Sequence, residues 1–422
     1  MPTRPPAPAG PRKPLAREVV LLGWVSFFND ISSEMIYPLL PLFMVVVLGA
    51  TATSLGWIEG VAQAAVALLA AWIGYRSDRF QRRVPYVRLG YGLPVIGKAV
   101  LVAAVAWPMV LVGRTVDRIG KGIRSSPRDA LIADTTAEAD RGRAFGLHRA
   151  MDSAGAVVGV LGSAFLLWWL SGSPVENPNV TQVAHTASTF RTIFAIAAVL
   201  GFLALGFTFL LREPPAHVEP APVATAPPPA SGLRGLSRTY WIVLLLMLVF
   251  SLANSSDTFL LLRAAKVGFA PWQVVIVYAL FSFVYMAVSY PAGVLSDRLG
   301  RWPVIAIGWG IYAVVYLGIA RTGATALWPL LAFYGVYIAL TDGVGKALLA
   351  DHVPRARRGF GIGLFYLGSG LATLVSSVVA GVLWDRVGPD APFYFGGVTA
   401  LVALALLLVL RPWRTPRAAP AA

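Results

Sequence analysis

Apolar runs of roughly twenty residues, separated by short polar turns, follow one another from Val19 to Leu410. A helix needs about twenty apolar residues to cross ~30 Å of hydrocarbon, so each run predicts a transmembrane helix. They lie near Val19–Leu48, Ser54–Ile73, Tyr86–Ala106, Met109–Asp134, Gly142–Leu170 and Thr192–Leu211, then Thr239–Leu262, Gln273–Leu295, Trp302–Ala320, Leu327–Leu349, Gly359–Leu383 and Pro392–Leu410. The polar turns repeat as well. Asp129-Ala-Leu-Ile-Ala-Asp134 returns as Lys346-Ala-Leu-Leu-Ala-Asp351, each copy followed by an Arg-Gly pair, and Gly74-Tyr-Arg-Ser-Asp78-Arg79 returns as Gly293-Val-Leu-Ser-Asp297-Arg298 at nearly the same separation. A duplication of this length predicts an all-α membrane protein in which twelve transmembrane helices form two pseudo-symmetric six-helix halves. Their boundaries are 19–212 and 239–410, with tails 1–18 and 411–422 and a Pro/Ala-rich linker 213–238 that cannot bury a core.

Composition agrees, since 57% hydrophobic and 13% charged residues leave too few charges to cover a soluble surface. The net charge of +15 would suit a nucleic-acid partner, but the arginines fall on alternate loops. The groups Arg12–Arg17, Arg79–Arg83, Arg141–Arg143, Arg234–Arg238, Arg298–Arg301, Arg355–Arg358 and Arg411–Arg417 would share one side, while Gly49–Thr53 and Trp107–Pro108 are uncharged and Ser171–Phe190, read as a long outer loop, has few charges. By the positive-inside rule the basic side is the cytoplasm, which puts both termini there. The tail before Val19 has no apolar core of its own and reads as cytoplasmic rather than as a signal peptide. The absence of cysteine excludes disulfides and thiolate metal sites. His185 and His217 are scattered and read as solvated, and Asn179-Val-Thr181 is a sequon short enough to arise by chance.

A Gly, an Asp and several Arg at the junction of two spans make contacts that can form in one conformation and break in another, because the Asp can accept from a helix N-terminus or an arginine. Gly74-x-x-x-Asp78-Arg79-x-x-Arg82-Arg83 and Gly293-x-x-x-Asp297-Arg298-x-x-Arg301 resemble the loop signatures of the major facilitator superfamily, and the resemblance covers the whole chain. It implies that both loops hold a cytoplasmic gate shut when the cavity faces outward, with Asp134, Arg141, Asp351 and Arg358 extending the network. Gln81 departs from the usual glycine, which Gly300 keeps in the second copy. Arg118-x-x-x-Gly122 resembles the family motif associated with proton coupling. Asn29-Asp-Ile-Ser-Ser-Glu34-Met-Ile-Tyr37-Pro and Gly120-Lys-Gly-Ile-Arg-Ser-Ser-Pro-Arg-Asp129 resemble a bacterial and archaeal branch with poorly defined substrates. Gly155-x-x-x-Gly159-Val160 lacks the Gly-Pro typical of the family's antiporters.

Ionisable residues at bilayer depth are costly and therefore candidates for function. Asp30, Ser33, Glu34 and Tyr37 share one face of the first span, and Arg114, Arg118 and Lys121 form a stripe on the fourth. At ~1.5 Å per residue, Asp30 and Lys121 lie roughly 18–20 Å from the basic side and Glu34 and Arg118 about 24 Å, so the pairs Asp30 with Lys121 and Glu34 with Arg118 are expected. Arg149 and Asp152 of span five, near Arg124 and Arg128, are read as cavity or gate residues, and Lys98 with Asp117 as a structural pair. In the second half Asn254, Ser256 and Asp257 echo the first span, Asp342 and Lys346 sit in span ten, and Tyr334 and Tyr337 add hydroxyls. Glu59 is read as a solvated acid at the outer mouth. Trp107, Trp272, Trp302, Trp328, Trp384 and Trp413 mark span ends as interface anchors. Glycines in spans five and eleven, among them Gly155, Gly159, Gly368 and Gly370, allow helices to approach and slide.

These features predict a secondary active transporter moving a small organic solute by alternating access. The expected mode is proton-coupled efflux; the alternative is a proton symporter or organic-anion exchanger working in uptake. A basic first half facing an acidic, tyrosine-rich second half suits an anionic or zwitterionic substrate. No Walker A motif is present, no cofactor or metal is expected beyond the proton as coupling ion, and a monomer is expected. A membrane-embedded enzyme would need a nucleophile and base or a metal cluster that the sequence does not offer, and a receptor on the same fold would bind without flux.

Overall fold

The computed structural model describes residues 15–80, 82–137, 140–171, 180–213, 236–353 and 358–410, and within these all side chains except those of 70–80, 141–142, 171, 180–185, 350 and 358–360. Helices account for almost all of it, in twelve rods: α1 (Arg17–Val47), α2 (Ala52–Phe80), α3 (Val84–Val102), α4 (Trp107–Asp134), α5 (Arg141–Ser171), α6 (Val180–Thr208), α7 (Arg238–Lys266), α8 (Pro271–Leu299), α9 (Arg301–Arg321), α10 (Ala324–Asp351), α11 (Arg358–Arg386) and α12 (Ala391–Leu410). Ten are long and apolar enough to cross a bilayer; α3 and α4 fall short of that composition, and α4 is dense in Arg and Asp.

The duplication read in sequence is a duplication of packing. In the first six rods α1 lies on α5 and α6, α4 on α2 and α3, and α3 on α6; in the second six α7 lies on α11 and α12, α10 on α8 and α9, and α9 on α12. The two groups touch along α2–α11 and α5–α8, pairs that the pseudo-two-fold exchanges. Rods α1 and α12 begin and end at the same end of the bundle, called here the terminal end; the other is the far end.

Two rods are broken where sequence removes helical hydrogen bonds. Pro38 and Pro41 each lack a backbone donor, and α1 answers with a 3-10 turn at Tyr37–Leu39 and a π-helical stretch at Phe43–Val47. In α7 the helix stops at Ala253 and restarts at Thr258. Asn and Ser compete locally for backbone groups, and here Ser256 N–H donates to Ser377 Oγ (3.2 Å) while Tyr312 Oη donates to Ala253 O (2.7 Å).

At the far end α2 and α11 approach backbone to backbone. A methyl group on Gly56 would strike the Ser377 carbonyl, and one on Gly381 would strike Ala52 and Thr53. The Asp385 carboxylate of α11 then accepts from Ala52 N (3.1 Å), Thr53 N (2.8 Å) and Thr53 Oγ1 (2.6 Å), capping α2 across the boundary between halves.

Several expectations are corrected. The stretch read as a loop from Ser171 to Phe190 is helical from Val180. Glu213, read as the start of a free linker, accepts from Arg83 N and Val84 N (3.0 Å) and so caps α3. Trp302 is buried with its ring edge-on to His352 rather than exposed as an anchor. Asn179, His217, Arg355, Arg357, Trp413, tail residues 1–14 and 411–422 and linker residues 214–235 lie outside the described residues, as do the side chains of Gly74, Asp78, Arg79, Arg141, His185 and Arg358.

Candidate functional site

A cavity of about 1000 Å³ lies between the halves, walled by α1, α4 and α5 on one side and α7, α8 and α10 on the other. Of the residues expected there, Asp30, Glu34, Arg114, Arg118, Lys121, Arg149, Asp152 and Asp257 all line it. A second cavity of about 240 Å³ surrounds the α7 break and includes Asp257, Asp342 and Lys346. Asp257 and Ile338 belong to both walls, so the two spaces adjoin. The Arg149 side chain, 73% exposed, and the half-exposed Asp342 and Lys346 lie toward the terminal end, where the cavity opens; α2–α11 and the Pro-broken part of α1 against α7 close the far end.

The matched depths of α1 and α4 did not become contacts. Asp30 lies beside Asp152 of α5 in the cavity wall: Ser26 Oγ, one turn before Asp30 on α1, donates to Asp152 (2.7 Å), and Asn29 Nδ2 donates to Asp30 (2.9 Å). Glu34 accepts from Tyr278 Oη of α8 at 2.8 Å. Neither Lys121 nor Arg118 pairs with these acids: α1 packs mainly on α5 and α6 and α4 on α2 and α3, so although both rods line the same side of the cavity, Glu34 turns to Tyr278 and Arg118 to the Tyr37 ring. Lys121 is exposed to the cavity, and Arg118 holds its guanidinium 6.0 Å from the Tyr37 ring with a buried Nε that has no hydrogen-bond partner among the described residues.

Arg114 is otherwise engaged. It grips Glu59 of α2 through Nε (2.8 Å) and Nη2 (3.3 Å), lies 3.6 Å from Asp117, and sits 4.9 Å from the Tyr37 centroid. Glu59 is fully buried, which corrects its reading as a solvated acid. Lys98, expected to pair with Asp117, donates to Ser32 Oγ at 2.6 Å, and Ser32 in turn donates to the Ala197 carbonyl. Arg124 is buried against Gly90 O (3.3 Å) and the Tyr91 ring, Arg128 pairs with Asp129 (2.8 Å) and Arg149 with Asp152 (3.4 Å).

In the second half Asp257 accepts from Tyr334 Oη (2.5 Å), and Asp342 pairs with Lys346 (2.7 Å) and accepts from Tyr285 Oη (3.2 Å). Phe250 stacks on Trp309 at 4.7 Å, and Tyr312, Tyr316, Tyr334 and Tyr337 form one connected ring cluster beside it. Sequence reading passed over Tyr278, Tyr285 and Asp385. A tyrosine in an apolar run and a lone acid at a span end carry no local signal of the partner they meet.

At the gate loops the described ion pairs run within each half. Arg83 reaches Asp134 (3.4 Å) and Arg301 reaches Asp351 (2.5 Å), each tying a loop to the terminal end of α4 or α10. Gly293 sits in α8, and Arg82, Asp297 and Arg298 are exposed.

The comparisons with known proteins agree with this architecture. The Major Facilitator Superfamily profile matches residues 22–344 and 264–422. An uncharacterised MFS-type transporter of Methanocaldococcus jannaschii is 34% identical over 403 residues, covering 94% of this chain and 95% of its own. The multidrug resistance protein MdtH of Salmonella typhi is 24% identical over 395 residues, 90% and 91% of the two chains. Among solved structures, a D-xylose–proton symporter superposes with a TM-score of 0.74 at 15% identity, covering 96% of this chain and 98% of that one, and a point mutant of the nucleoside transporter NupG with 0.73 at 15%, covering 93% and 98%. With duplicated six-helix packing around a central polar cavity and a family match along nearly its whole length, the chain belongs to the major facilitator superfamily of membrane transporters.

Proposed function

We propose that this transporter couples protons to a small organic anion or zwitterion held in the central cavity, with Asp30 and Asp152 as the proton site and Arg118 and Lys121 as the anion site. The observation that carries the reading is the make-up of the cavity wall: two acids lie side by side on α1 and α5, and two cations without carboxylate partners among the described residues line the same cavity from α4. A proton between facing carboxyls relieves their repulsion. It also removes one negative charge from the anion's surroundings. At an effective dielectric of about 20, a unit charge ~8 Å from a bound anion is worth about 2 kcal/mol, a change of ~30-fold in affinity. Proton and anion therefore favour each other's binding, which is the thermodynamics of cotransport.

This sign differs from the competition that proton-coupled efflux requires, in which an acid would release its basic partner on protonation. The efflux reading, with the substrate leaving as the proton enters, keeps support from the likeness to MdtH, named for multidrug resistance. The alternating distribution of arginines supports the terminal end as cytoplasmic. Proteoliposomes loaded with candidate anions and given pH gradients of either direction separate the two. Flux down the proton gradient, lost in Asp30→Asn and Asp152→Asn and weakened in Arg118→Gln, is the expected result. Flux against it would establish antiport, and flux indifferent to pH would remove the proton site.

A further inference from the structure

We infer that Asp257 and Asn254, at the break in α7, form a binding pole for an ammonium group, so that the substrate is a zwitterion whose positive end lies in the smaller cavity and whose negative end lies on Arg118 and Lys121. The inference rests on the anion reading above and adds the second pole. Every other acid of the central cavity has an arginine, a tyrosine donor from the opposite half or a second acid against it, whereas Asp257 has only Tyr334 Oη on Oδ1 and no ion pair among the described residues. Its second carboxylate oxygen is uncommitted. Asn254 lines the same small cavity, and its buried Oδ1 has no hydrogen-bond partner among the described residues. Two acceptors that lack donors call for a group that only donates, and an ammonium has three such hydrogens.

The walls suit a cation as well. Phe250, Trp309, Tyr334 and Tyr337 line the space, and ring faces attract a cation near their centroids. Lys346, the basic residue of this cavity, is engaged at 2.7 Å with Asp342 and leaves Asp257 to the substrate. Tyr37 lines the central cavity together with Arg118 and Asp257. Its ring lies 6.0 Å from the Arg118 guanidinium on one side and 5.5 Å from Tyr278 on the other.

The test uses purified full-length protein and thermal-shift titrations with ω-amino carboxylates of increasing length beside the matching carboxylates that lack the amine. An ammonium held by a carboxylate and ring faces should raise affinity about tenfold for the best-fitting chain length over its des-amino partner. Asp257→Asn should abolish that difference while leaving the response to plain carboxylates, and Tyr334→Phe, which removes only the competing donor, should keep it. Equal responses to the two series in the wild type, or a difference that survives Asp257→Asn, would overturn the ammonium pole and leave the anion site standing. Stabilisation by neither series would overturn both.

Discussion

Asp385 offers the most direct way to move the conformational balance. Its carboxylate takes three hydrogen bonds from the first turn of α2 at 2.6–3.1 Å, and these are the polar contacts that seal the α2–α11 seam where Gly56 and Gly381 bring the backbones together. Opening the far end must break all three. A hydrogen bond to a charged group contributes about 1.5–3 kcal/mol net, and an anion at a helix N-terminus up to ~2 kcal/mol. The three bonds share one carboxylate and do not add. Asp385→Asn removes the charge and turns one acceptor into a donor facing donors, so a loss of about 2 kcal/mol from the far-closed state is expected, a ~30-fold change in the ratio of states. A far-open population near 1% would rise to about 20–25%. The chain contains no cysteine, so Val46→Cys and Val387→Cys, both exposed near the far end, give a clean pair of spin-label sites. Pulsed electron–electron resonance in lipid should show a longer-distance component growing in Asp385→Asn. Superimposable distance distributions in the two proteins would refute the clamp.

Other consequences concern stability, coupling and closure. Glu59→Ala leaves Arg114 buried without its main partner and should cost about 3–5 kcal/mol, read as a large fall in the thermal unfolding midpoint; an unchanged midpoint would show that Asp117 and Tyr37 suffice. Tyr278→Phe removes the only described hydrogen bond to Glu34 and should weaken far-end closure by about 1–3 kcal/mol in the same spin-label assay, with no shift counting against a cross-half role. In Asp30→Asn the facing acids can no longer share a proton, so anion binding should lose its pH dependence while persisting at high pH; a retained pH profile would move the proton site elsewhere. Gly381→Leu cannot fit against Ala52 and Thr53, and should insert normally yet lose turnover, whereas full turnover would show that the seam never needs to close.

Much of the fold was legible because a bilayer imposes a one-dimensional code. Spans must be apolar for their length, and duplicated charged turns reveal duplicated halves whatever the packing. The identity of the cavity residues was legible for the same reason: Asp30, Glu34, Arg118, Lys121 and Asp257 are too costly at that depth unless they face a polar space. Their partners were not. Depth along a helix follows from counting residues, but the direction a side chain faces relative to another rod depends on which rods are neighbours. Hence Glu34 and Arg118, level with each other on the same side of the cavity, did not pair: Glu34 meets Tyr278 of α8 and Arg118 the Tyr37 ring. Glu59 looked solvated because its one-turn position in α2 is near a span end, and only the α2–α4 packing shows Arg114 reaching it. Asp385 and Glu213 looked like surface acids until the helix N-termini they cap were brought to them from 130 or more residues away in sequence.

The sequence by itself determined the solvent, the number and order of rods, the two-fold repeat and most of the charges placed at depth, Glu59 excepted, since each is fixed by local apolarity and period. Only the tertiary structure decided which charges meet, where α7 presents an uncompensated acid and which end of the cavity is closed. Those outcomes are pairwise, set by how rods cross and by the few positions where glycine lets two backbones touch.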